Sequence, residues 1–198
     1  QDVVVTSQEN PSGGGSKRVV FRNTSTITTL NLTPVLELRN QPSRNVTCND
    51  LDGDGKPDLV VSEVNGPNDT GTIDIEVFRN TSTTGTISFA AEILLQLPRD
   101  QNGDVRTPAR IELVDIDLDG KKDILATTIN DNAIDIFLNQ STIGSISFDD
   151  SDISKVELPD QADVSRALKV ADLNGDNLKD VILAVNEGSE IYVYENQS

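Results

Sequence analysis

Three nine-residue stretches recur along this chain: DLDGDGKPD at 50–58, DIDLDGKKD at 115–123 and DLNGDNLKD at 172–180. Each carries carboxylate or amide side chains at positions 1, 3, 5 and 9 and runs directly into an apolar segment, LVV, ILA or VILAV. Carboxylates crowded into a tight turn repel one another unless a cation sits among them. Oxygens from positions 1, 3 and 5, a backbone carbonyl at 7 and a carboxylate at 9 suit a hard ion with six or seven ligands, namely Ca²⁺. Gly55 at position 6 permits the left-handed backbone such a loop needs, and Asn177, its counterpart in the third stretch, tolerates it better than other non-glycine residues. The third stretch has Asn174 in place of a carboxylate and is expected to bind most weakly. The bland alternative is a set of solvated turns, since Asp and Gly crowd ordinary turns; three copies with matching flanks weigh against it.

An EF-hand would need a bidentate Glu at position 12 and flanking helices. Position 12 is instead Val61, Ala126 and Leu183, inside the β-type runs DLVVSE, DILATT and DVILAV. The loops therefore connect strands, and the ninth-position aspartate opens the second strand of each pair. These aspartates, Asp58, Asp123 and Asp180, are 65 and 57 residues apart, and Asp2 lies 56 residues before Asp58, as though closing a fourth, partial loop. A second signature follows at VVFRNTST (19–26), EVFRNTST (76–83), DIFLNQST (135–142) and YVYENQS (192–198), making Asn23, Asn80, Asn139 and Asn196 equivalent. Beyond it, TLNLTPVLEL (29–38), ISFAAEILLQL (87–97) and ISFDDSDISKVEL (146–158) each read as a further strand. A period near 57 residues with about four short strands per period marks a blade-like repeat rather than a sandwich. The repeats run approximately 1–43, 44–109, 110–166 and 167–198 within one array. INDN and NEGS read as tight hairpin turns, and QENPSGGGSK and VNGPNDTGT as longer tips. The triple glycine at 13–15 belongs to such a tip rather than to a phosphate loop, because no helix pattern follows it.

The D-x-D-x-D-G-x-x-D loop, the VFRNTST-like strand end and the ISF segment together resemble the FG-GAP and VCBS repeats of calcium-binding β-propellers, as in integrin α-subunits and many secreted bacterial surface proteins. The resemblance covers nearly the whole chain. It implies an all-β fold of propeller-type blades, each of four antiparallel strands, with Ca²⁺ held between the first two. The ligands it implies are Asp50, Asp52, Asp54, the Lys56 carbonyl and Asp58; Asp115, Asp117, Asp119, the Lys121 carbonyl and Asp123; and Asp172, Asn174, Asp176, the Leu178 carbonyl and Asp180. Such propellers usually close with seven blades, whereas about three and a half units are present here. The expected partners are therefore further repeats of the same chain or neighbouring copies that complete the missing blades, a filament being one outcome.

Charge narrows the partners further. Three bound Ca²⁺ ions would reduce the net charge of −17 by six units, to −11, which still repels nucleic acid and anionic membranes. No stretch approaches eighteen apolar residues, so no membrane-spanning helix is expected. With 4% aromatic residues and no Trp, the core must come from Val, Ile and Leu on two-sided strands, with Phe21, Phe78, Phe137 and Tyr194 as equivalent packing residues. Cys48 stands alone and reads as a small buried side chain, not a nucleophile, because the chain has no His to serve as its base. Sequons occur at Asn23, Asn31, Asn45, Asn68, Asn80, Asn139 and Asn196. The four repeat-equivalent ones, Asn23, Asn80, Asn139 and Asn196, are glycosylation candidates, although a strand-end turn accounts for the same pattern.

The expected function is a non-enzymatic, calcium-rigidified structural or adhesive module of a secreted, surface or filament protein, since weak-to-moderate loop sites fit the calcium-rich extracellular medium. The alternatives are a propeller that binds a carbohydrate or a surface protein, and an accessory domain of a secreted hydrolase. Every conspicuous carboxylate pair is assigned to a metal, and without His no Ser/His/Asp set exists.

Overall fold

The structure is a computed structural model that describes residues 2–6, 17–38, 42–63, 74–100, 102–103, 106–128, 133–149, 153–157, 165–185 and 190–197. The hairpin tips QENPSGGG, VNGPNDTGT, INDN and NEGS, the triple glycine and the Asn68 sequon fall outside these residues.

Fourteen strands form four antiparallel sheets among the described residues. The first sheet holds β1 (Val3–Thr6), β2 (Arg18–Asn23) and β3 (Leu32–Glu37). The second holds β4 (Ser43–Asn49), β5 (Asp58–Glu63), β6 (Asp74–Phe78) and β7 (Ile93–Gln96). The third holds β8 (Pro108–Val114), β9 (Asp123–Thr128), β10 (Ala133–Phe137) and β11 (Ser154–Glu157). The fourth holds β12 (Ser165–Ala171), β13 (Asp180–Val185) and β14 (Ile191–Tyr194). Within each sheet every strand pairs with its neighbour in sequence, so each sheet is an up-and-down meander. None closes on itself. No helix occurs among the described residues, and none is long and apolar enough to cross a membrane.

The ninth-position aspartates open β5, β9 and β13, each pairing with the end of the preceding strand, as in Asn49 opposite Asp58 and Val114 opposite Asp123. The first strands of successive sheets, β1, β4, β8 and β12, lie beside one another, and this contact aligns the sheets face to face. Side-chain alternation along a strand then supplies both interfaces of each interior sheet. On β5, Leu59 and Val61 face the first sheet, where Val4 and Leu38 pack, while Val60 faces the third. On β9, Ile124 and Ala126 join Val60, Ile75, Val77 and Phe137 in the core between the second and third sheets. Leu125 points the other way, to Leu168 and Leu183 of the fourth sheet. All six residues of β5 and of β9 are consequently buried.

Two expectations change. Residues 87–97 and 146–158 are not single strands: Asn80 bridges Phe89 and Thr83 bridges Thr86, so the signature folds back as a tight hairpin around Gly85 before β7 begins. Asn139–Phe148 and Thr142–Ser145 repeat that arrangement around Gly144. Left-handed glycines at the two tips, φ +82° and +87°, permit so short a reversal. Cys48 is exposed rather than buried. It lines an open cavity of about 640 Å³ between the first two sheets, with Val4, Val20, Leu59 and Phe89.

Candidate metal centre

Each loop is wound by its own carboxylates. In the first, Asp50 Oδ1 accepts from Gly53 N (2.8 Å) and Asp50 Oδ2 from Gly55 N (2.8 Å), while Asp54 N donates to Asp52 and Lys56 N to Asp54. The third repeats this, Asp172 accepting from Gly175 N and Asn177 N at 2.7 and 3.0 Å. Such folding requires left-handed backbone at two places, position 4 as well as position 6. The pairs are Gly53 and Gly55, Leu118 and Gly120, and Gly175 and Asn177. Leu118, at φ +64°, is therefore a branched side chain in a glycine conformation. Sequence reasoning anticipated position 6 and overlooked position 4, although glycine stands there in two of the three loops.

The ninth-position carboxylates close the loops. Asp58 Oδ2 accepts from Leu51 N (2.9 Å) and its Oδ1 from Asn80 N (2.8 Å). Asp123 does the same with Ile116 and Asn139, and Asp180 with Leu173 and Asn196. Asp2 accepts from Asn23 N at 2.8 Å, the same relation at the start of the chain. Asp58 and Asp123 are fully buried. Burial pushes their pKa above the ordinary carboxylate value, against the opposing pull of these N–H donors, and the neighbouring aspartates push it further up.

Oxygens of Asp50, Asp52 and Asp58 converge within 4.8 Å of one another, as do those of Asp115, Asp117 and Asp119. These two groups could hold a metal ion; among the described residues the third loop forms no such group, and there Asn174 Nδ2 donates to Asp176 and to Glu195. Asp54, Asp123, Asp172, Asp176 and Asp180 lie on the same loops but outside the two convergent groups. Lys56, Lys121 and Leu178, whose carbonyls are the position-7 candidates, each donate their N–H to the position-5 aspartate. The donor set is all oxygen, as a hard cation requires. In the second loop Asp115 Oδ1 is buried without a hydrogen-bond partner among the described residues, an acceptor that a cation there would satisfy.

The signature asparagines serve the loops on both sides. Asn139 Oδ1 accepts from Ser141 N, and its Nδ2 donates to Lys122 O (2.8 Å) and to Leu51 O of the preceding loop (2.9 Å). Asn196 Nδ2 reaches Ile116 O likewise, and Asn80 Nδ2 binds Pro57 O. Asn80 and Asn139 are buried, and with the amide nitrogen so engaged they act as turn-forming residues in the folded chain. Asn23 is exposed, its Oδ1 accepting from Ser25 N.

A family model described as FG-GAP-like repeat matches residues 50–126 and again 115–183. The chain belongs to this family. Each match starts at the first aspartate of a loop, so the FG-GAP-like repeat is anchored on the metal-type nonapeptide and on the strands around it. No curated protein sequence matches the chain. The FG-GAP-like loops were legible in the sequence; Arg79 was not singled out. Its Nε lies 2.6 Å from Asp52 Oδ2 and its Nη2 3.1 Å from Asp54 Oδ2. Burial acts to raise the Asp52 pKa, but the Arg79 bond and charge, with the N–H groups of Asp54 and Gly144, outweigh it and hold the carboxyl below its ordinary value.

Proposed function

We propose that the chain is a non-enzymatic, calcium-binding structural or adhesive module of an extracellular or cell-surface protein, its sheets acting as propeller-type blades rigidified by Ca²⁺ in the loops. The observation that supports this reading most is the second loop, where oxygens of Asp115, Asp117 and Asp119 converge and Asp115 also has a buried Oδ1 with no hydrogen-bond partner among the described residues. Ca²⁺ would take that oxygen together with Asp117 and Asp119, and would offset the repulsion of the ninth-position carboxylate behind them. Lateral growth of the array, by further repeats or by a second copy, is supported by its two end sheets. Val4 packs inward while Val3 and Val5 are exposed, and Tyr192 and Tyr194 pack inward while Ile191 and Val193 are exposed. These uncovered strand faces match the ones that pack in the interior.

Calorimetric titration with Ca²⁺, with light scattering before and after chelation, tests the reading. About three ions bound, with a fall in melting temperature on chelation, is the expected result. No heat of binding together with an unchanged melting temperature would overturn it.

A further inference from the structure

In the three full loops the backbone N–H of the signature asparagine is tied to the ninth-position aspartate, which brings the residue just before it next to that unit's loop. Its identity differs among the three full loops, Arg79 at the first, Leu138 at the second and Glu195 at the third, while Arg22, before Asn23, donates instead to Gly85 O of the next unit. Arg79 binds Asp52 and Asp54 at 2.6 and 3.1 Å, two of the carboxylates a metal would use. Asp52 Oδ2 also accepts from Gly144 N of the next unit at 3.0 Å, and its Oδ1 accepts from Asp54 N. The Asp52 side chain has no exposed surface and Arg79 is only 24% exposed, so water screens this pair weakly. Both loops carry a lysine near the position-5 aspartate, Lys56 at 3.7 Å and Lys121 at 3.2 Å, so the lysines do not distinguish them. What distinguishes them is the residue before the signature asparagine and the state of the position-1 aspartate. Asp50 Oδ1 accepts two N–H groups, whereas its counterpart Asp115 Oδ1 is buried with no donor among the described residues.

Resting on the calcium reading of these loops, we propose that the residue before the signature asparagine grades their affinity, and that Arg79 is a resident counter-ion making the first loop a weaker calcium site than the second. A Ca²⁺ ion entering the first loop must displace the guanidinium from at least one carboxylate and so forfeits a charge-assisted hydrogen bond. An ion entering the second loop displaces nothing from Asp115 Oδ1. Glu195 works in the opposite sense: its Oε1 accepts from Asn174 Nδ2 at 3.0 Å, bringing a carboxylate to the loop that lacks one at position 3. Graded sites release calcium in sequence, the first loop emptying while Arg79 keeps its carboxylates neutralised.

The test is a Ca²⁺ titration of the full chain followed by the amide resonances of Gly55, Gly120 and Asn177, one per loop, with circular dichroism to verify folding. In the wild type the Gly120 resonance should saturate before that of Gly55. Arg79→Leu should tighten the first site by about tenfold, the loss of one competing charged hydrogen bond, and leave the second unchanged. Leu138→Arg, the reciprocal variant, should weaken the second site by a similar factor. Unchanged affinities in both variants, with wild-type binding intact, would overturn the grading while leaving the calcium reading standing. No binding at any loop would overturn the calcium reading and the grading together.

Discussion

The side-chain nitrogen of Asn139 lies 2.9 Å from the carbonyl oxygen of Leu51, 88 residues earlier and in the neighbouring unit. The same nitrogen holds Lys122 O of its own loop at 2.8 Å, so one amide group joins two loops. Leu51 is itself 2% exposed and packs in the core between the second and third sheets, with Ile146 and Phe148 of the Asn139 hairpin. The loop is thereby fastened to the next unit by its carbonyl and by its side chain at once.

Asn139→Ala removes both carbonyl contacts and the acceptor for Ser141 N and leaves buried carbonyls unpaired. Destabilisation of about 2–4 kcal/mol is expected from urea denaturation. Asn196→Ala, at a part-buried site, should cost less than Asn139→Ala.

Leu118→Gly should stabilise the chain. The side chain is 56% exposed and its backbone is left-handed, so glycine relieves strain of about 1–2 kcal/mol and adds unfolded-state entropy of about 0.5–1 kcal/mol in the other direction. A rise in melting temperature of about 1–3 °C is the net result, and a fall would contradict the strain.

Two buried arginine–carboxylate pairs tie the sheets. Arg18 of the first sheet binds Glu76 of the second, and Arg106, just before β8, makes a two-bond contact with Asp135 of β10 at 2.7 and 2.8 Å. Glu76 and Asp135 are equivalent positions supplied with an arginine from different directions. Asp135→Asn should cost about 3–5 kcal/mol, because Arg106 stays buried and loses the charge of Asp135 from this two-bond contact. The pair Arg106→Met with Asp135→Leu should recover most of that loss, a comparison that denaturant titration of single and double variants resolves.

In chelator, stability should rise as pH falls from neutral toward the ordinary carboxylate pKa of 3.8. Asp58 and Asp123, raised by burial, take up protons in the folded chain before the unfolded chain does. Their contribution is complete below 3.8 and is lost as pH rises through the raised values. Asp52, lowered on balance, acts oppositely, and its share is lost only as pH falls below 3.8. Melting temperature against pH, for wild type and Asp123→Asn in chelator, checks this: the variant should show the shallower slope.

Local patterns made much of this molecule legible. A carboxylate at every second position winds a loop within nine residues, and an apolar run after it continues as a strand, so strand, loop and strand follow from neighbours in the chain. Gly55 and Asn177 proved left-handed because each N–H must turn back to the first aspartate. The ISF segments were misread as long strands because Asn, Ser and Gly at a tight hairpin leave little trace in an alternating pattern. Cys48 was misplaced because its burial depends on what the neighbouring sheet sets against it.

By itself, then, the sequence determined the repeat, the recurring loops with aspartates gathered in the first two, and the two-sided strands, all of which arise from contacts a few residues apart. Only the tertiary structure decided that Arg79 lies over Asp52, that Asn139 reaches Leu51 and that Arg18 meets Glu76. Those partners are 27, 88 and 58 residues apart: Arg79 reaches its own unit's loop because Asn80 N is tied to Asp58, while the other two pairs cross between sheets whose first strands stand side by side, relations that no local periodicity encodes.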